Sequence, residues 1–216
     1  AIDLDDADSI QQEPQLLSVL EGAVDEWIKI IDSIRAEENE RKPDNKYPLA
    51  AIDFWRDRSS KVSTVYEQLQ LPAVRRVLDL LSATEPPVLQ QYQESFGDLQ
   101  YLHLQAKDNV KFLTTLERHF KSLATGSMVT IVETLPSLMN AIRMVWIISR
   151  YFNTDEYMEP LMERIAEQIC DKVEEQINIV QILGMEPSVA MRVIKDGVTA
   201  LEKWNDIYLA TRQKIE

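Results

Sequence analysis

Any chemistry in this chain has to come from a short set of residues: His103, His119, Cys170, carboxylate pairs such as Glu174-Glu175, and the acidic run DLDDADS near its start. Two histidines hold one metal ion only if both rings reach it. On a single helix His103 and His119 stand about 24 Å apart, too far to share one. They read as solvated or capping histidines. Cys170 has neither histidine near it in sequence and falls at an apolar helical position, so it reads as an inert core thiol. Glu174-Glu175 is what any acidic helix face offers, and without a pocket it implies no proton transfer. DLDDADS superficially matches a calcium loop, but lacks the glycine at its sixth position and the glutamate at its twelfth. A solvated acidic lead-in over residues 1–13 is expected. Gly22, Gly97, Gly126, Gly184 and Gly197 are too scattered to cradle a phosphate, and neither H-E-x-x-H nor G-x-S-x-G occurs. The expectation is no catalytic residue, no cofactor and no metal.

Two other features rise above the background. Arg143 and Arg150 are seven residues apart, on one stripe of a helix, with Asn140 one turn away. A buried guanidinium needs a partner, so they are structural ion-pair candidates, with Glu117, Glu163 and Asp155 as possible mates. An acidic segment of another chain is the alternative. The second feature is a pair of aromatic-bearing seams at the two ends: Trp27 with Ile31 and Ile34, and Trp204 with Tyr208. Packing within the chain is the plainer reading. Terminal helices have fewer internal neighbours, however, and Trp and Tyr are favoured interface anchors.

The elements that must position these residues read as helices throughout. The chain has 216 residues, 45% hydrophobic and 27% charged, which is enough to bury a core. No stretch alternates with period two over a strand length. Leu17, Leu20, Val24, Trp27, Ile31 and Ile34 form a 3/4 seam beginning near Pro14. A second helix carries Ile52, Trp55, Val62, Tyr66 and Leu69, and a third starts at Pro72. A long helix is expected over 88–124, and Ser127 can cap the next. The most apolar stretch is 135–152, where Leu135, Leu138, Ile142, Val145, Ile148 and Phe152 mark one face and Met139, Met144, Trp146 and Ile147 fill most of the rest. A helix apolar nearly all round must be covered on several sides, so it belongs at the centre of a bundle. Its two arginines argue against a membrane span. Further helices run from Asp155 to near Gly184 and from Pro187 onward. The expected class is all-α, six or seven helices in elongated antiparallel bundles with long helices: a lead-in over 1–13, a unit over 14–84 and a central bundle over 85–216.

The net charge of −13 disfavours nucleic acid and anionic membranes as partners. A single cysteine fits a reducing compartment. No basic-then-apolar leader is visible, so no secretory signal is expected, and the absent initial Met with a helical pattern still running at Glu216 leads to the expectation of a piece of a longer protein.

The segment LPSLMNAIRMVWIISRYFNTDEYMEPLMERIA resembles the N-terminal tail of dynein heavy chains of the axonemal kind. Ile52 to Arg56 with Glu67 to Leu69, Ala106 to Leu113, Leu116 to Phe120, and Leu201 to Trp204 running on to Glu216 are similar to further tail blocks, in the family's order. Tyr157 departs from the pattern, standing where a basic residue is expected. The resemblance implies an assembly module, not the motor. Such tails pair heavy chains, seat intermediate and light chains, and anchor the arm to doublet microtubules, in the cytoplasm and the cytoskeleton of the cilium or flagellum axoneme. The ATP-driven ring lies elsewhere in the parent. The competing reading is a spectrin-like helical scaffold unrelated to a motor.

Overall fold

The computed structural model describes residues 13–43 and 46–215, so the DLDDADS run lies outside the described residues. Among them are nine α-helices and one 3-10 turn: α1 (Pro14–Glu40), α2 (Pro48–Leu69), α3 (Pro72–Ser82), α4 (Pro87–Leu113), the 3-10 turn Thr114–Leu116, α5 (Glu117–Thr125), α6 (Met128–Ile148), α7 (Asp155–Gln176), α8 (Ile179–Leu183) and α9 (Pro187–Ile215). The described residues contain no strand, and the class is all-α. Two expected helices are each divided. The one over 88–124 breaks at the 3-10 turn, where the Thr115 hydroxyl donates to the Phe112 carbonyl at 2.6 Å. The one running to Gly184 stops at Gln176, and Asn178 Oδ1 then accepts from Val180 N (3.0 Å) and Gln181 N (3.4 Å) to open α8. An Asn side chain satisfies the free N–H groups of a first turn and so favours a fresh start over continuation.

The chain divides into two compact units. One takes the described residues of Ala1–Lys42 with Arg56–Lys107; the other takes Pro43–Trp55 with Asp108–Glu216. The division follows the packing of helices and not their linear order, so it does not coincide with a cut after Thr84.

In the first unit, Leu20, Val24 and Ile31 of α1 enter a core with Val62, Leu69, Leu80, Leu81, Tyr92 and Leu99. Aromatic rings reinforce it. Trp27 meets Tyr92 edge-on at 6.2 Å, and Tyr66 stacks on Phe96 at 5.5 Å and on the His103 ring at 4.3 Å. The end of α1 is tied to α2 by charge. Glu38 is fully buried, and Arg41 bridges it (2.6 Å) to Asp57 (2.7 Å) while Arg58 donates to its backbone carbonyl (3.0 Å). The bond to Glu38 holds the Arg41 pKa above the usual arginine value, and Arg41 in turn lowers that of Asp57.

In the second unit, α6 packs on α5, α7 and α9. Ser127 caps it, accepting from Thr130 N at 3.3 Å, and Gly126 makes the tight entry possible: a Cβ there would stand 2.4 Å from the Ser122 carbonyl oxygen. Its buried face is Met128, Ile131, Leu135, Leu138, Met139, Ile142 and Val145. The expected all-round cover is not there. Met144, Ile147 and Ile148 are 52%, 67% and 53% exposed, and Trp146 is half-buried. By length and composition alone α6 suits a membrane span, but its buried stripe is a core stripe filled by three neighbouring helices.

The rod also ends earlier than its hydrophobicity suggests. Asp108 Oδ2 accepts from the Ser149 hydroxyl (3.2 Å), Arg150 N (3.0 Å) and Tyr151 N (3.3 Å), and Ser149 Oγ accepts from Phe152 N (2.8 Å). A carboxylate that collects successive N–H groups stabilises the turn against further helix. Phe152 then leaves the helix and is buried in a cluster with Trp55 and Tyr157, stacked on Tyr157 at 5.6 Å. Tyr157, where a basic residue was expected, completes an aromatic cluster. Tyr47 and Lys46 bind Asp171 at 2.8 and 2.6 Å and fix the 46–55 segment against α7.

Two stability predictions follow from this packing. Leu138, with no exposed surface, is expected to cost about 2–5 kcal/mol as Leu138→Ala, and half-buried Trp146→Ala is expected to cost less. Asp108→Ala leaves two backbone N–H groups and a hydroxyl without their acceptor and is expected to cost about 1–3 kcal/mol. Denaturant titrations compare all three. An Asp108→Ala midpoint equal to the parent's contradicts the capping role.

Candidate partner-binding groove

The residues singled out in the sequence separate in the structure. Ile31 has no exposed surface and is part of the first unit's core, while Trp27 and Ile34 are partly buried against the same core. Ile31 has no surface to offer a partner. Trp204 and Tyr208 lie one turn apart on α9, their rings stacked at 6.0 Å, and both line a surface groove of the second unit.

This groove is built from three helices. From α6 come Ile142 and Trp146; from α7 come Asp155, Met158, Glu159 and Met162; from α9 come Tyr208, Thr211 and Arg212. Each set recurs at three- and four-residue steps, so each helix turns one face to the same space. The cavity is about 160 Å³, with Ile142, Met158 and Thr211 nearly buried at its base. It adjoins a second, of about 250 Å³, which adds Glu163, Ala166 and Trp204. Gly197 allows the close approach of α9 to α7 further along, because a Cβ there would meet Ile177 Cδ1 at 2.6 Å and Val173 Cγ1 at 3.2 Å.

The groove's electrostatics are uneven. Asp155, Glu159 and Glu163 are exposed at the rim, and Arg212 is the cation lining the same space, donating to the Tyr208 hydroxyl at 3.3 Å. The acids continue along the outer face of α7 through Glu167 and Glu174. Cys170 lies on that face and not in the core: it is exposed. Its thiol pKa is raised, by local desolvation first and then by Asp171, Glu174 and Glu167, which disfavours the reactive thiolate.

The expected ion pairs of the arginine stripe do not form. Among the described residues neither Arg143 nor Arg150 has a carboxylate within bridging distance. Both reach water, Arg143 being half-buried and Arg150 exposed, so the desolvation that makes a partner necessary is reduced. Arg150 instead lies over the Tyr151 ring at 5.7 Å.

The histidines are also unlike the expectation of solvated or capping rings. His103 and His119 are 8% and 5% exposed. His103 Nδ1 lies 3.2 Å from the Ser63 hydroxyl under the Tyr66 ring. At His119, Arg118 Nε–H donates to Nε2 at 3.2 Å, which leaves Nδ1 to carry the proton toward Ser137 Oγ at 3.4 Å. That ring is neutral. Both pKa values are lowered by burial, with Lys107 and Arg118 respectively adding to the effect. The periodicity of the helices carrying these rings includes buried polar positions as well as apolar ones, a signal that an apolar-only reading passes over.

The chain matches the family model for dynein heavy chain N-terminal region 1 over residues 17–216. It is 41% identical over 215 residues to the dynein-1-alpha heavy chain of the flagellar inner arm I1 complex of Chlamydomonas reinhardtii, covering 99% of this chain and 5% of that protein. It is 38% identical over 205 residues to human dynein axonemal heavy chain 10, covering 94% of this chain and again 5% of the relative. The dynein gamma chain of the Chlamydomonas reinhardtii flagellar outer arm is 28% identical over 74% of this chain, which spans 4% of that relative.

The histidine environments give a pH prediction. Both folded pKa values lie below the unfolded value of about 6.5, so the neutral rings stabilise the fold fully above that value. The contribution is lost as pH falls through the lowered folded values. The thermal midpoint is expected to drop between about pH 7 and pH 5, and His119→Gln to flatten that drop. An equally steep pH dependence in the variant removes His119 from the account.

Proposed function

The chain belongs to the dynein heavy chain N-terminal region 1 family, and from that premise we propose that it is the non-catalytic tail module of an axonemal dynein heavy chain. In this reading it pairs heavy chains, seats intermediate and light chains, and docks the arm for ciliary motility, with indirect association to doublet microtubules. Its place is the cytoskeleton of the cilium or flagellum. No cofactor, metal or nucleotide has a part in its work. The observation carrying this reading is that the similarity spans nearly the whole chain, while the chain spans about 5% of the relatives it matches. Membership in this family displaces the spectrin-like scaffold reading.

The identities separate one heavy-chain type from the others and do not follow arm type. They are 41% to the alpha heavy chain of the I1 inner arm, 27% to the beta heavy chain of that complex and 28% to an outer-arm gamma chain. The 41% match against 27% and 28% supports an alpha-type heavy chain.

Cross-linking with mass spectrometry on the intact arm tests the assembly role. Links from α9 to an intermediate chain or a second heavy chain are the expected result, and links confined to this chain contradict it. A nucleotide-hydrolysis assay on a chain lacking the motor ring is expected to read background. Turnover that survives further purification overturns the non-catalytic assignment.

A further inference from the structure

We propose that the α6/α7/α9 groove is the seat for a basic segment of a partner polypeptide, which inserts one apolar side chain between flanking lysines or arginines. The inference deepens the assembly reading above and rests on it for the existence of a partner. Its support is local.

The larger apolar surfaces of Trp146, Met158, Met162 and Tyr208 converge on one cavity of about 160 Å³. That is close to the volume, about 150 Å³, that admits a benzene-sized group, so the cavity takes one aliphatic or aromatic side chain. Methionine and aromatic walls re-pack around such an anchor with little strain. Thr211, only 8% exposed, lines the same cavity beside them.

Charge selects the occupant. Three rim carboxylates, Asp155, Glu159 and Glu163, face a single lining guanidinium, Arg212. Glu159 and Glu163 are four residues apart on α7, about 6 Å along its surface, a spacing that matches cations one turn apart on a facing helix. A second copy of this chain brings a net charge of −13 to an already acidic rim, so self-association through the groove is disfavoured. Nucleic acid and anionic lipid are disfavoured by the same sign.

The test uses the full heavy chain and a fluorescein-labelled 14-residue helical peptide bearing one leucine anchor flanked by lysines. Anisotropy titration at low salt is expected to show saturable binding that weakens at least tenfold when the lysines become glutamates, and similarly when the leucine becomes alanine. Glu159→Lys with Glu163→Lys is expected to weaken binding tenfold or more with an unchanged melting temperature, as both side chains are exposed. Glu174→Lys with Glu175→Lys, at the far end of the same acidic face, is expected to leave binding unchanged. Equal binding of the glutamate peptide, an equal loss from both charge reversals, no saturable binding, or concentration-dependent self-association that the peptide relieves each overturns the proposal. If cross-linking places α9 against another subunit while the Glu159/Glu163 reversal still assembles normally, the groove assignment fails and the assembly reading stands.

Discussion

The one-sided burial of α6 governs the second unit. Ile131, Leu135, Leu138, Ile142 and Val145 are at most 2% exposed and are covered by α5, α7 and α9. At about 25 cal/mol per Å² of apolar surface removed from water, a stripe of this length is the main source of cohesion between these helices. Three neighbours on one side of a helix leave its other side open. That geometry keeps Met144 and Ile147 in solvent and sets Trp146 at the edge, where the helix begins to face the groove.

Everything attached to α6 adjusts to this stripe. Asp108 stops the helix by binding three donors in the turn that follows it, and the stop releases Phe152 into contact with Trp55 and Tyr157. Glu186 performs the matching task at the start of α9, its carboxylate accepting from Ser188 N (3.1 Å), Val189 N (3.3 Å) and the Ser188 hydroxyl. Those bonds hold the Glu186 pKa below the ordinary glutamate value, with the Ser188 side chain contributing most. Helix ends are thus set by short polar contacts and helix faces by apolar ones. The two act on different scales: about 1 kcal/mol per cap against several for each buried large side chain.

The groove and the arginine stripe show how exposure decides what a charge needs. Arg143 and Arg150 lack internal carboxylates because water already solvates them. In the first unit the opposite holds. Glu38 is fully buried, and the cluster of Arg41, Arg58, Asp57 and Lys61 forms around it, with Lys61 at 3.7 Å. The acids of the groove rim belong to the exposed class, so their charge is available to a molecule arriving from outside.

The 3/4 spacing of apolar residues determined the all-α class and the buried stripe Leu135-Leu138-Ile142-Val145, while residue type alone marked the helix starts at Pro14, Pro72 and Pro187 and the Ser127 cap. These depend on neighbours within a few residues, which the linear order contains. The wording of the blocks from Ile52 onward carried the family. Tertiary structure alone decided the rest. Hydrophobicity says that a residue can be buried, not that a neighbour arrives to bury it, so Ile147 and Cys170 are exposed while His119 and Glu38 are buried. Trp27 and Trp204 read alike as aromatic anchors in seams. One meets Tyr92 against a core and the other lines an open groove, because what stands opposite a helix face is set by residues far away in the chain.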